Sequence, residues 1–345
     1  MSYPLFDAHP ALGVLPRAGL LQAPTPVARL EDRGEVWIKR DDLTTDGFGG
    51  NKIRKLDLLL ADARARDRRC LLAFGYSGSN FVAATAWHGR ALGFDTLGLL
   101  LPQADAPYVA DNLGLALHAG AQLAVGTSDG ALVRRALGLS LRRLARDRRW
   151  PYWLPPGGST PLGALGYVNA AFELRTQIER GEMPAPAHLY VAFSSMGTVA
   201  GLSIGLALAG LDCRLQAIQV VDAHYAGPTQ LDALIRRTQR LLRRYDPRIP
   251  VGAAPVDIRT EHQGPAYAVA SAATHHAMHR FAQTAGGARC DSAYTGKALT
   301  ALYADLDRGV PGTALYWHSF NAHGLPPGVQ PLAPPALASY LLRSS

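Results

Sequence analysis

Lysine, cysteine and charge are all scarce in this 345-residue chain. Its three cysteines, Cys70, Cys213 and Cys290, lie far apart with no CxxC pair. That spacing excludes a disulfide-stapled scaffold and a zinc ribbon, and no resident metal is expected. Charged residues make up 18% against 48% hydrophobic, the reverse of a disordered tail. The opening MSYPLFDAHP has no basic stretch ahead of an apolar one, so no secretory signal is expected and the cytoplasm is the expected compartment. The length suits one large or two ordinary domains, each with its own core.

From His188 to Leu211 no Asp, Glu, Lys or Arg occurs, a length that could span a bilayer. Its middle, Phe193-Ser194-Ser195-Met196-Gly197-Thr198, is a turn-forming insert, and neither flanking anchors nor a second span accompany it. A buried strand, loop and helix is therefore expected, and no membrane partner. Lys+Arg 35 against Asp+Glu 27 leaves a formal charge of +8. The arginines of Leu141–Arg146 and Leu234–Arg244 alternate with apolar residues at helical spacing and read as solvated faces of amphipathic helices. No aromatic-interleaved basic motif is present, and a nucleic-acid partner is not expected.

What is there is an α/β alternation. Strands are expected at Glu35–Lys39, Cys70–Phe74 and Thr96–Leu101, and helices at Leu56–Arg66, Ser79–Arg90 and around Tyr108–Leu117. Steps of about thirty residues indicate βαβ units and parallel sheets. In such sheets ligands bind at the carboxyl ends of strands. Three loops there are polar and rich in Gly or Ser: Gly75–Asn80, Gly157–Thr160 and Ser194–Thr198. The proline-rich Trp150–Pro156 segment is the candidate return crossing between domains.

Of the 35 basic residues only Lys39, Lys52, Lys55 and Lys297 are lysine. A chain that otherwise uses arginine keeps lysine where an amine must lose its proton and become a nucleophile. Lys52 lies in Gly49-Gly50-Asn51-Lys52-Ile53-Arg54-Lys55, where two glycines let backbone approach a ligand closely. Arg54 and Lys55, if near in space, would depress its pKa as Schiff-base chemistry requires. A surface lysine opening a helix fits the same residues. The loop Ser194–Thr198, ahead of the helix-like Val199-Ala200-Gly201-Leu202, reads as an anion cradle at a helix N-terminus or as a plain turn. A Schiff-base lysine and a phosphate cradle together suggest pyridoxal 5′-phosphate (PLP), which needs a covalent anchor and an anion site.

More specific segments run nearly end to end: Ala23-Pro24-Thr25-Pro26; Ile38-Lys39-Arg40-Asp41-Asp42-Leu43; Gly49 to Leu56 (GGNKIRKL); Ser79-Asn80; Pro156-Gly157-Gly158-Ser159 with Leu162 to Tyr167; Gly197 to Leu202; and Asp291 to Leu299 (DSAYTGKAL). Together they resemble the D-cysteine desulfhydrase / 1-aminocyclopropane-1-carboxylate (ACC) deaminase family of tryptophan-synthase-β-like, fold type II PLP enzymes. The resemblance implies two open, twisted, mostly parallel sheets with flanking helices and PLP in the interdomain cleft. It further implies a large domain of residues 1–52 plus 166–345, a small βαβ domain of residues 53–165, a homodimer and a small amino-acid substrate.

Residue by residue, the resemblance makes Lys52 the covalent anchor of PLP and the carrier of the Cα proton. It places Asn80 at the cofactor's phenolic oxygen and Ser79 near the substrate carboxylate. Gly197 and Thr198, with the backbone of Ser194, Ser195 and Met196, match the phosphate loop, and Tyr294 and Tyr267 match two tyrosines flanking the substrate. For either tyrosine taken alone, core packing is the commoner reason for its presence. Thr295 and Ser319 stand where desulfhydrases tend to carry hydroxyl residues, whereas ACC deaminases carry Glu and Leu. A hydroxyl near the pyridine nitrogen leaves the ring a weaker electron sink, which suits β-elimination better than opening a cyclopropane.

The chain also departs from the family pattern. Gln-Ser-Asn-His becomes Gly78-Ser79-Asn80-Phe81, His-Thr-Gly-Gly becomes His318-Ser319-Phe320-Asn321, and Met196 replaces a small residue in the cradle. Such changes reshape a substrate pocket. The expected reaction is elimination from D-cysteine to pyruvate, sulfide and ammonia. The alternatives are ACC deamination, PLP chemistry on a different amino acid, and a non-catalytic PLP-binding protein.

Overall fold

The computed structural model describes residues 3–30 and 35–342. Among these, the apolar runs form strands β1 (Val27–Arg29), β2 (Val36–Arg40), β3 (Cys70–Tyr76), β4 (Asp95–Leu101), β5 (Gln122–Val125), β6 (Tyr152–Leu154), β7 (His188–Phe193), β8 (Arg214–Gln219), β9 (Val256–Arg259) and β10 (Ala314–His318). The principal helices are α1 (Pro4–Ala8), α2 (Lys52–Ala65), α3 (Asn80–Ala91), α4 (Pro107–His118), α5 (Asp129–Asp147), α6 (Pro161–Glu179), α7 (Gly197–Leu208), α8 (Pro228–Tyr245), α9 (Ala272–Thr284) and α10 (Thr295–Asp307).

One sheet has the order β1-β2-β10-β7-β8-β9 and is parallel except for β1, which runs antiparallel to β2. The other, β5-β4-β3-β6, is parallel throughout and lies wholly within residues 53–165. Every residue of β10 is buried, as a central strand covered by helices on both faces requires. The α/β fold with two mainly parallel sheets is the one expected.

The charge-free run His188–Leu211 divides into β7 and α7 around the Ser194–Met196 turn. No helix among the described residues is long and apolar enough to cross a membrane. The arginine-rich helices behave differently from one another. In α8, Leu231, Leu234, Thr238 and Leu242 face inward at helical spacing, as expected. In α5 the expectation fails: Arg143 is buried, while Leu141 and Leu144 are exposed. The inward edge there is Leu132, Ala136, Ser140 and Arg143, and the Arg143 guanidinium is held by Asp95 at 2.5 Å and Asp147 at 3.2 Å.

Helix α2 begins at Lys52, not at Leu56. Gly50 turns the chain with φ +72°, and Thr44 Oγ1 donates to its carbonyl at 2.8 Å. A Cβ there would lie 2.6 Å from the Phe320 carbonyl oxygen, so only glycine lets this turn close against the loop after β10. Behind it sits a buried ionic cluster. Lys39 donates to Glu173 at 2.5 Å, and Arg54 pairs with Asp41 at 2.7 Å and Glu173 at 3.0 Å. Tyr167 and Trp317 also donate to Asp41, at 2.9 and 2.7 Å, which ties β2, α2, α6 and β10 together just beneath Lys52.

Candidate active site

The carboxyl ends of the two sheets face a cavity of about 530 Å3. It brings together Lys52, Ser79, Asn80, Ser194, Ser195, Met196, Thr198, Tyr267, Tyr294 and Ser319, residues separated by up to 267 positions (319 − 52) in the chain. Gly197 and Thr295 sit just behind its wall.

Lys52 occupies the first turn of α2, and its Nζ donates to Asn51 Oδ1 at 2.6 Å. Burial lowers its pKa to about 8, against the opposing pull of Asp291. The expected cause was different. Arg54 points away into the ionic cluster, and burial, not a neighbouring cation, makes this amine easy to deprotonate. The amine lies 5.8 Å from the centre of the Tyr294 ring.

The cradle closes at the start of α7. Met196 adopts φ +70°, a left-handed backbone that L side chains rarely take, immediately before the helix. Gly197 N donates to Ser159 Oγ at 3.1 Å, and Ser159 Oγ donates to Ser195 Oγ at 2.9 Å. Gly157 has φ +62°, and a Cβ on it would overlap Ser195 Oγ at 2.0 Å, so the two loops meet only through glycine.

Beneath this cradle lies Lys55. A Cβ on Gly197 would stand 3.0 Å from its Nζ, which donates to the Gly157 carbonyl at 3.1 Å. Burial and the nearby Lys52 push its pKa well down, and among the described residues no carboxylate pairs with it. A buried cation short of a counter-ion, under an open helix N-terminus, fits a phosphate group. Sequence reasoning used Lys55 only as a neighbour of Lys52. Its rarity as a lysine was the signal that could have found it.

At the other side of the cavity, the hydroxyls of Tyr267 and Tyr294 are hydrogen-bonded to each other. Burial raises the pKa of Tyr294 to about 12, although its bond with Tyr267 pulls the other way, and Tyr267 is raised well above the usual phenol range. Both phenols are raised by burial and so stay protonated at physiological pH. Ser79 caps α3, its Oγ accepting from Val82 N at 3.3 Å, which leaves the hydroxyl proton for a ligand. Asn80 Oδ1 accepts from Asn112 Nδ2 at 3.0 Å, so the amide N–H groups are the end left for the cavity. Both suit an anionic oxygen.

Thr295 is buried behind Asp291, not at the cavity surface. Its Oγ1 donates to Asp291 Oδ2 at 2.7 Å, and Asp291 Oδ1 accepts from the backbone N–H of Ala293 and Tyr294 at 2.9 and 2.6 Å. The group that lines the cavity here is the Asp291 carboxylate, with a pKa raised by burial. Sequence reasoning missed it, although it lies in the same DSAYTGKAL segment. Ser319 does line the cavity, and its carbonyl accepts from Asn51 N at 3.2 Å.

The departures divide in the same way. Phe320 and Phe81 line the cavity. Asn321 is turned away, accepting from Gly49 N at 3.0 Å and pinning the glycine turn. Gly78 is set by packing: a Cβ would lie 2.7 Å from the Tyr108 ring and 2.9 Å from Gln103 Oε1.

Comparison with known proteins agrees with this chemistry. Residues 19–319 match the family described as pyridoxal-phosphate dependent enzyme. A nocardicin C-9′ epimerase from Nocardia uniformis subsp. tsuyamanensis is 33% identical over 343 residues, 96% of this chain and 100% of that protein. A D-cysteine desulfhydrase from Salmonella schwarzengrund is 31% identical over 324 residues, 90% of this chain and 95% of that protein. The crystal structure of an ACC deaminase homologue superposes with a TM-score of 0.79 at 30% identity, covering 99% of this chain and 100% of that one. Since the family match takes in both sheets and the Lys52 and Ser194–Thr198 segments, this chain belongs to the pyridoxal-phosphate-dependent enzymes, in the fold type II group of ACC deaminase and D-cysteine desulfhydrase.

Proposed function

We propose that this enzyme eliminates the β-substituent of an amino acid, in the manner of D-cysteine desulfhydrase, with Lys52 as cofactor anchor and proton carrier. The observation that carries this reading is the Lys52 amine, brought to a pKa of about 8 by burial and placed beside the Tyr267–Tyr294 pair. The Ser194–Thr198 loop and Lys55 would hold the cofactor's phosphate, and Asn80 would donate to its phenolic oxygen. Bound PLP supplies an electron-withdrawing ring that accommodates the charge left at Cα.

Ser79 and the N-terminus of α3 hold the substrate carboxylate. Lys52 Nζ removes the Cα proton as the bond from Cβ to the substituent breaks. Tyr294, a neutral phenol, gives its proton to the leaving group, with Tyr267 orienting it. With D-cysteine the products after hydrolysis are pyruvate, sulfide and ammonia.

A second reading has a specific support: the end-to-end likeness to an epimerase. Lys52 would remove the same proton, and it would return on the opposite face with no bond broken at Cβ. D- and L-amino acids and ACC, supplied in D2O, separate the readings. Pyruvate and ammonia from D-cysteine support elimination. Deuterium at Cα with inverted configuration and no keto-acid release supports epimerisation, and 2-oxobutyrate from ACC supports deamination.

Replacing Lys52 with Ala is expected to remove the cofactor's visible imine absorbance and to lower turnover by about 10²–10⁴-fold. Borohydride should fix the cofactor to this side chain in the unaltered protein. Undiminished turnover in the variant would refute the assignment.

A further inference from the structure

The cavity does not end at the tyrosine pair. It continues over the carboxyl edge of the small sheet, along a wall made by Phe74, Tyr76, Leu101, Leu132, Val133 and Trp153. Phe74 and Tyr76 alternate onto one face of β3, and Leu101 lies opposite Tyr76 in register. The Phe74 and Trp153 rings stand 5.7 Å apart, and Trp153 Nε1 donates to Ser140 Oγ at 3.0 Å. The polar edge of the indole is thus satisfied inside α5, leaving the rest of its ring as apolar wall.

This wall is connected to the reacting centre by aromatic contacts. Tyr76 stacks on Tyr267 with centroids 4.4 Å apart, and Tyr267 meets Tyr294, whose ring lies beside Lys52. Burial pushes the Tyr76 phenol well above its usual range, so this ring presents a neutral, uncharged face to the cavity. Among the described residues that line this stretch the charged one is Asp129, at the start of α5, which would repel an acidic side chain. A substrate of cysteine size leaves all of this surface uncovered. An extended apolar side chain covers it and is stabilised by every ring it desolvates.

Resting on the reading of Lys52 as the reactive amine, we propose that this wall is a side-chain subsite, and that the enzyme takes amino acids whose side chains extend beyond Cγ into an aromatic or branched apolar group. The preference comes from the small sheet and α5, not from the cofactor cradle.

The test is a spectral titration of the PLP-loaded protein with alanine, S-benzylcysteine and S-carboxymethylcysteine, each as D and L forms. S-Benzylcysteine is expected to bind about 10–200-fold tighter than alanine in one enantiomeric series, and S-carboxymethylcysteine no tighter than alanine. Val133→Arg, at a site exposed enough to tolerate the change, should cut the benzyl-over-alanine preference by about tenfold or more. Equal affinities, or a preference that survives Val133→Arg, overturn the subsite while leaving the Lys52 reading intact. Tight binding of S-carboxymethylcysteine overturns its apolar character. If no amino acid shifts the cofactor spectrum, the Lys52 reading fails and the subsite falls with it.

Discussion

Two groups of buried cations flank the junction of β2 and α2, and they are treated in opposite ways. Lys39 and Arg54 are matched by Asp41 and Glu173, two charges against two, with Thr25 and Gln177 taking further donors. Lys52 and Lys55 lie in the same helix turn, yet among the described residues their hydrogen-bond acceptors are Asn51 Oδ1 and the Gly157 carbonyl, neither of them charged. Burying a cation without a counter-charge is costly, and the cost shows as an amine that gives up its proton easily. The matched pair therefore reads as scaffold. The unmatched pair reads as a site whose missing anion is a ligand and whose neutral amine is a reagent.

The largest expected effect comes from unbalancing the matched pair. Glu173→Gln leaves Lys39 and Arg54 sharing one carboxylate and should destabilise the protein by about 3–5 kcal/mol in urea unfolding. Burial favours the neutral form of Glu173, but Arg54 and Lys39 outweigh it and hold the carboxyl at a pKa of about 2. Its folded pKa is below its unfolded one, so its contribution is complete above pH 4.5 and is lost as pH falls from there toward 2. The stability gap between unaltered protein and Glu173→Gln should close over that interval. A gap that stays constant through it would mean that charge is not what the cluster contributes.

Lys55→Met should act with the opposite sign on stability. Removing an uncompensated buried cation leaves the cofactor-free protein at least as stable, while PLP affinity falls about 10–100-fold through loss of a charge-assisted bond. Calorimetric titration of the cofactor-free variant with PLP measures the affinity, and urea unfolding the stability. Loss of stability without loss of affinity would place Lys55 with the scaffold cations Lys39 and Arg54 and erase the contrast.

The contrast was only half legible in the sequence. In the first third of the chain, and again at His188–Leu211, strands and helices followed from apolar runs and βαβ spacing, because burial on both faces leaves continuous apolar runs in β3, β4 and β7. Lys52 stood out by composition and by the glycines before it. The partners that sort one lysine from another lie far along the chain: Glu173 is 134 positions from Lys39, and Gly157 is 102 from Lys55. No local pattern carries that information. Asp291 and Thr295 show the same limit at short range. Both lie in one motif, but which of them faces the cavity depends on the hydrogen bonds that open α10. Arg143 inverted the reading of α5 because Asp95, at the start of β4, and Asp147 pair with it.

The smallest effect tests the cause of the Lys52 shift. In the cofactor-free protein, the rate of covalent PLP capture should rise about tenfold per pH unit and level off near pH 8, where the amine becomes mostly neutral. A free lysine amine, followed in parallel as reference, should keep rising toward pH 10.5. Burial sets the position of this break and the Asp291 carboxylate works against it, drawing the amine's pKa upward. Asp291→Asn keeps an oxygen to accept from Ala293 and Tyr294 but removes the charge, so the break should move to lower pH. If neighbouring cations set the pKa instead, Lys55→Met would move the break upward by more than Asp291→Asn moves it down. A break that stays near pH 8 in Lys55→Met therefore assigns the lowered pKa to burial, and one that moves upward assigns it to the neighbouring cation.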